Sequence, residues 1–314
     1  MSKDNVLPSV IVAANGWGGY LASHLYPGTP VIYVSPGMHW VQVAHQVLRL
    51  TGAGPTVLLH IDISLWGEVI DGMDDFIRLI IGSGGSVWNG RIRDTRKSSM
   101  HRVCRRNGLP STQVLDANQL SPQARVMIKT DVNALGRAEF RLEDTVLQKL
   151  GLGNIKRSRV AGMTEYPTMT VAEVPAELWQ APELLIERFV ERRDGLFFRV
   201  FMAGENCILC EGKSQEIVKR INRDASERRD IRITRSMYGH EELPSIISPQ
   251  QQRAFEQAIR FADAFGLDFG SLDLLIDEDN EIYIVDVNPT PYWGDDPVYT
   301  HFATHLGGLA AQPA

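Results

Sequence analysis

The chain has 314 residues, 44% of them hydrophobic and 22% charged, and a formal net charge of −6. That balance is ordinary for a globular protein with a substantial core; it argues against general nucleic-acid affinity, and three cysteines cannot build a disulfide framework. No apolar run approaches a membrane span and the first residues carry no secretory pattern, so a cytoplasmic protein of two or three modest domains, without a membrane or nucleic-acid partner, is expected.

From Pro8 to Asn89, strand and helix patterns alternate. Strands are expected at Ser9–Ala14, Val31–Val34, Val57–Ile63 and Ser86–Trp88, and helices at Tyr20–Leu25, Val41–Leu50 and Val69–Ile81. Such alternation implies a parallel sheet covered by helices, that is, an α/β N-terminal domain. The glycines at 16, 18 and 19 miss the GxGxxG spacing, and Gly82-Ser83-Gly84-Gly85 precedes a strand where a phosphate loop would follow one; both read as turns. Positive charge concentrates from Arg91 to Arg106, as a solvated helix face or a nucleotide-phosphate site. The helix there carries an apolar stripe of Met100, Val103 and Cys104 and stops at Gly108, before Pro110.

Arg125–Lys129 reads as a short strand ending on a lysine, followed by a loop over Thr130–Arg137 in which Gly136 is the single glycine. Leu184–Val190 and Phe197–Phe201 read as further strands. Cys207 and Cys210 lie three apart in another apolar strand, where alternation sends their side chains to opposite faces, so they do not make a metal clip. Ser248, Pro249 and Gln251 supply an N-cap, an N1 proline and a capping-box glutamine to a helix that buries Phe255, Ala258, Ile259 and Ala262 and ends at Gly266. His301 and His305 share helical spacing but lack a third ligand, and read as surface or substrate-rim residues.

Beyond Gly266, two apolar runs flank the polar turn Glu278–Glu281 in the pattern of a β-hairpin. A symmetric turn pairs Asp277 with Ile282, Leu275 with Ile284, Asp273 with Asp286 and Ser271 with Asn288. Strict alternation then puts Leu272, Leu274, Ile276, Tyr283, Val285 and Val287 on a core-facing side. The other side carries Asp273 and Asp286 in direct opposition, with Asn288. Like charges so placed destabilise a sheet. Two carboxylates and an amide oxygen suit Mg²⁺, which takes few protein ligands and completes its shell with water and phosphate; a solvated hairpin with two surface aspartates is the alternative.

An Asp on one strand and an acid-x-Asn-x-x-Pro end on the next resemble the metal-binding hairpin of the ATP-grasp superfamily, particularly its carboxylate–amine ligases, the group of the ribosomal-protein-modifying ligase, glutathione synthetase and D-alanine–D-alanine ligase. The resemblance implies ATP and Mg²⁺ as cofactors, with Asp273, Asp286 and Asn288 as metal ligands; the family usually has Glu where this chain has Asp286. Lys97, opening the helix that leads to Asn107-Gly108-Leu109-Pro110, would then lie against the nucleotide. Lys129 would bind ATP phosphates at the start of a lid formed by Thr130–Arg137, and Arg199 would meet the transferred phosphate. Glu187, Phe189 and Val190 match the hinge where adenine pairs with the backbone. Either Glu191 or Asp194 would meet the ribose, and Lys213, Lys219 or Arg220 would supply a further phosphate contact.

On this resemblance the fold is an α/β N-terminal domain (1–93) followed by an α+β ATP-grasp fold of two subdomains, with linker helix and lid at 94–190 and the C-terminal subdomain at 191–314. The implied activity is joining a small-molecule carboxylate to an amine, on amino acids or peptides, through an acyl phosphate with release of ADP and phosphate; a homodimer is compatible with it. The alternatives are an ATP-grasp kinase acting on a hydroxyl and a non-catalytic ATP-binding protein.

Overall fold

Four short apolar runs pair in parallel as β1 (Val10–Ala14), β2 (Val31–Val34), β3 (Thr56–His60) and β4 (Ser86–Trp88), in the spatial order β2-β1-β3-β4. The computed structural model describes residues 7–14, 22, 25–154, 166–219, 221, 226–239, 247–291 and 305–307. The glycine turn at 16–19 and most of the helix expected at Tyr20–Leu25 therefore lie outside the described residues, as do Arg220 and His301. Helix α1 (Trp40–Thr51) packs on the sheet through Trp40, Val43, Ala44 and Val47. The helix expected over Val69–Ile81 is two: α2 (Trp66–Val69) and α3 (Met73–Gly82). Ile70 turns extended and Gly72 takes a left-handed φ of 84°, which a glycine adopts at no steric cost. The break lets the Asp71 carbonyl accept the Trp40 N–H at 2.8 Å.

Helix α4 (Lys97–Arg106) leads to a second, antiparallel sheet of β5 (Arg125–Thr130), β6 (Thr168–Thr170) and β7 (Leu184–Arg188), in the order β6-β5-β7. This sheet has a small core of its own, including Val126, Ile128, Val171 and Ile186. A short α5 (Asp144–Lys149) lies between β5 and β6.

The third sheet holds β8 (Leu196–Ala203), β9 (Asn206–Lys213), β10 (Ser226–Thr234), β11 (Phe269–Ile276) and β12 (Ile282–Asn288), in the antiparallel order β10-β9-β8-β11-β12. Helix α6 (Pro249–Phe265) begins with the Ser248–Gln251 capping box and ends at Gly266, with φ at 86°. Its Phe255, Ala258, Phe261 and Ala262 share one continuous core with Trp40, Trp66 and the inner faces of β8, β11 and β12. The two strand cysteines point apart, Cys207 into that core and Cys210 into a second one, and burial raises both thiols, Cys207 to about 12. No helix among the described residues is long and apolar enough to cross a membrane.

The β11–β12 hairpin departs from a symmetric register. Asp273 opposes Asp286 and Ser271 opposes Asn288 as expected, but nearer the turn Leu275 pairs with Tyr283 and Ile276 with Ile282. The ladder shifts after Asp273, leaving Val285 as an extra residue on β12. One extra residue reverses alternation, so Ile282 and Ile284, with Val287, join Leu272, Leu274 and Ile276 in the core. Tyr283 and Val285, expected on the core side, instead gather with Val190 and Leu275 in a separate cluster.

Asn89 joins the first and third sheets. It is fully buried, its φ is 61°, a left-handed value that Asn tolerates better than most residues, and it follows directly on β4. Its Nδ2 donates to the carbonyls of Leu59 (3.2 Å) and Phe269 (2.9 Å), and its Oδ1 accepts the N–H groups of Asp268 (2.9 Å) and Phe269 (3.0 Å). Asn89→Ala would leave these buried backbone groups unpaired. Urea denaturation is expected to show a loss on the order of 3 kcal/mol, and a loss within error of wild type would show that these bonds do not hold the sheets together.

Candidate functional site

A cleft of about 530 Å³ opens between the second and third sheets, lined on one side by Met127, Lys129 and residues from Glu187 to Arg193, and on the other by Leu275, Val285 and Lys219. A deeper recess of about 110 Å³ shares Met127, Lys129, Lys219, Leu275 and Val285 with it and is bounded by Lys97, Tyr166, Asp273 and Asp286. Of the apolar cluster of Val190, Leu275, Tyr283 and Val285, Val190 lines the wide part alone and Leu275 and Val285 line both parts, while Asp273 and Asp286 bound the recess.

The connection from β7 to β8 is stitched to the hairpin turn. Arg188 donates to Asp277 Oδ2 (3.1 Å) and Tyr283 Oη (3.2 Å), and Arg192 donates to the Asp277 carbonyl (2.9 Å) and Asn280 Oδ1 (3.1 Å). Phe189 donates its N–H to Arg125 O at 2.9 Å, and the Arg125 guanidinium lies 4.3 Å over its ring. The next N–H, that of Val190, has no partner among the described residues. Of the two acids read as ribose candidates, Glu191 lines the cleft, paired with Arg125. Asp194 stands outside the lining, because its carboxylate closes the following turn by accepting Leu196 N (3.0 Å) and Arg192 Nε (2.8 Å). Lys213 likewise stands outside, paired with Glu227 beyond the end of the cleft; Lys219 occupies the wall instead.

At the narrow end each acid of the hairpin faces a cation. Arg199, directly across from Asp273 on β8, grips it with Nε and Nη2, the latter at 2.6 Å. Burial works against the Arg199 charge, but the Asp273 carboxylate outweighs it and holds the guanidinium above its ordinary range. Asp286 Oδ1 lies 3.4 Å from Lys97 Nζ yet is buried without a hydrogen bond. Burial is the largest influence on Lys97 and works against its charge, but its anionic surroundings, Asp286 first, together outweigh it and hold the ammonium above its ordinary range. Asn288 Oδ1 accepts the Thr290 N–H at 2.9 Å. Among the described residues no three His, Cys, Asp or Glu side chains form a metal cluster. The two carboxylates are hard-oxygen groups suited to magnesium, which would compete with Arg199 and Lys97 for them, whereas Asn288 lies outside the recess lining with its amide oxygen engaged by Thr290.

Lys129, at the end of β5, donates to Glu187 Oε2 (2.9 Å) and to the Val285 carbonyl (3.4 Å), and so stands between the wide and narrow ends. Burial opposes the charge on Glu187, but Lys129 and then His101 outweigh it and hold its carboxyl well below the usual range. The segment expected to form a lid after Lys129 does something else. Asp131 is buried and caps α4, accepting Ser98 N at 2.7 Å and Ser98 Oγ at 2.8 Å, while Val132 enters the main core. Asn133 accepts from Lys97 Nζ (3.0 Å) and donates to the Val287 carbonyl (3.0 Å), making the segment a brace between helix and hairpin. Tyr166, His101 and Asn133 carry no sequence motif that marks them as site residues, whereas Lys219 is one of the bases that the resemblance offers for phosphate.

A parallel sheet followed by two antiparallel sheets, with a cleft between the latter and paired acids at its inner end, is the ATP-grasp fold. Among solved structures, the ATP-grasp ligase PsnB complexed with a phosphomimetic variant of minimal precursor, Mg and ADP is similar over 96% of this chain and 98% of its own, at 14% identity and a TM-score of 0.52. The same ligase with minimal precursor matches over 95% and 94%, at 13% identity and a TM-score of 0.50. No family model matches the sequence, and no curated protein matches it in sequence. At these identities the likeness defines the fold, and the chemistry has to be argued from the cleft.

Glu187 also makes a pH prediction. Its folded pKa lies below the unfolded value of about 4.3, so the stability it contributes is complete above that value and is lost as pH falls through the folded pKa. Glu187→Gln leaves the largely buried Lys129 ammonium without its carboxylate and should cost on the order of 3 kcal/mol at pH 7. Chemical denaturation should show the difference from wild type narrowing below about pH 4; a difference independent of pH would mean that Glu187 is not held ionised by its neighbours.

Proposed function

We propose that the protein is an ATP-dependent ligase that activates a carboxylate as an acyl phosphate and joins it to an amine, releasing ADP and phosphate. The observation that carries this reading is the convergence of Lys97, Lys129 and Lys219 on a recess bounded by the opposed pair Asp273 and Asp286, with Arg199 paired to Asp273. Adenine would enter the wide end, where Val190, Leu275 and Val285 supply apolar surface, and pair with the Val190 N–H, with Glu191 at the ribose. Asp273, Asp286 and Asn288 would hold Mg²⁺, which when bound neutralises phosphate oxygens. Lys129 and Arg199 would stabilise charge that develops as the γ-phosphoryl group moves to the substrate carboxylate, and amine attack would expel phosphate.

In this reading the functional units are 1–93, 94–190 and 191–314. A second cavity of about 540 Å³ lies at the carboxyl ends of β1, β2 and β3, where open parallel sheets bind ligands, and suits the acceptor; Asp62, Arg141 and Glu143 line it beside Val34, Ile63 and Leu142. The solved PsnB complexes contain a minimal precursor, and an amino acid or peptide is the substrate class we favour. We place the protein in the cytoplasm, where ATP and magnesium are at hand and three buried free cysteines stay reduced.

Asp273→Asn and Asp286→Asn each keep size and remove charge. Calorimetry should show ATP binding by both variants losing most of its magnesium dependence while the fold persists; dependence equal to wild type in both would return the hairpin to a solvated turn. Turnover has its own test. With the right acid present, hydroxylamine should trap a hydroxamate, and Lys129→Ala should suppress it by on the order of a few kcal/mol in barrier. A stable phosphate ester without hydroxamate would identify a kinase instead, and tight ATP binding with no ADP release across carboxylates would identify a non-catalytic binder.

A further inference from the structure

Behind Lys129, the cleft-lining Glu187 is backed by buried polar side chains, His101 and Thr112, that line neither the cleft nor the recess. His101 projects from α4 and is wholly enclosed; its Nε2 is 3.2 Å from Glu187 Oε1 and its Nδ1 is 3.0 Å from Ser111 Oγ. The second oxygen of Glu187 accepts from Thr112 Oγ1 at 3.0 Å and from Lys129 Nζ at 2.9 Å. Thr112 and Glu187 are buried to within 2% of complete. The bonds form a consistent set with a neutral ring: the Ser111 hydroxyl donates to Nδ1, and Nε2–H donates to the carboxylate. Glu187 is thereby held by donors on both oxygens and has a single orientation.

A lysine is a point charge on a flexible four-carbon stem, so the place of its ammonium is set by what it is tied to. Here the closest tie is one carboxylate, whose direction is fixed from behind by His101, a residue of α4 that lines neither the cleft nor the recess. We propose that His101 is a positioning residue: acting through Glu187, with Thr112 in support, it holds the Lys129 ammonium where nucleotide phosphate would meet it. This rests on the assignment of Lys129 to phosphate made above. A merely structural network would alter stability and treat every ligand alike. Positioning of one ammonium changes only the part of binding that involves phosphate.

The test compares ATP with adenosine by calorimetry or competition on the full chain, with thermal unfolding measured alongside. His101→Leu should weaken ATP about tenfold, the scale typical when a residue supporting a ligating group is removed, and leave adenosine within about twofold. His101→Gln, which keeps an N–H donor, should recover most of the loss. Thr112→Val removes one donor at constant shape, should weaken ATP about threefold, and carries the test if His101→Leu does not fold. Lys129→Ala in the same panel separates the two ideas. If Lys129→Ala leaves ATP affinity unchanged, the phosphate role of Lys129 fails and this proposal with it. If Lys129→Ala weakens ATP but the His101 and Thr112 variants do not, or if they weaken ATP and adenosine equally, the positioning role alone is overturned.

Discussion

Two carboxylates are held face to face on adjacent strands. At a separation of about 5 Å and an effective dielectric near 20, two unit charges repel by about 3 kcal/mol, a large share of the stability of any domain. Hairpin geometry cannot relieve this, because the register that opposes Asp273 and Asp286 is the one that buries the apolar face behind them. Relief comes from cations on two other elements, Arg199 on β8 and Lys97 at the start of α4. The third sheet and the linker helix are therefore electrostatically conditional on each other. Any cation entering the recess meets acids that already have partners, and must offer more than they do.

Helix α4 is the strut that makes this arrangement rigid. Its first turn is capped by Asp131, its Lys97 reaches Asp286, its buried face presents His101 to Glu187, and the carbonyl of Asn107 just past its end accepts from Arg260 on α6 at 3.0 Å. Each contact ties it to a different element. Through Asp286 and Glu187 this one helix bears on both the hairpin and the strand beside Lys129, although only Lys97 of its residues lines the recess.

The sequence showed the acids, the lysine-ended strand and the order of sheets, because each has a local cause: alternation, a terminal charge, or capping residues at fixed offsets. It could not show the register shift in β12, since Ile282, Tyr283, Ile284 and Val285 are all apolar and either phase buries two of them. Nor could it show that Asp131 serves a helix 33 residues earlier in the chain. A glycine-poor stretch after a lysine has no local mark separating a lid from a brace. The difference between Glu191 and Asp194 is equally nonlocal: a turn engages the Asp194 carboxylate, while Glu191 lines the cleft wall.

The extra residue at Val285 deserves a different description, as a phase change in the strand. Strict alternation would send Val285 and Asp286 to opposite sides, so that a wall could be either greasy or charged at that depth. With the phase advanced by one residue, both line the same recess, and a single strand supplies apolar surface and a carboxylate side by side. The turn is uncoupled from the acids as well. Its length and composition can drift between Asp277 and Ile282 without moving Asp286, whereas losing the single residue at 285 would exchange the two sides of everything on the turn side of the acids.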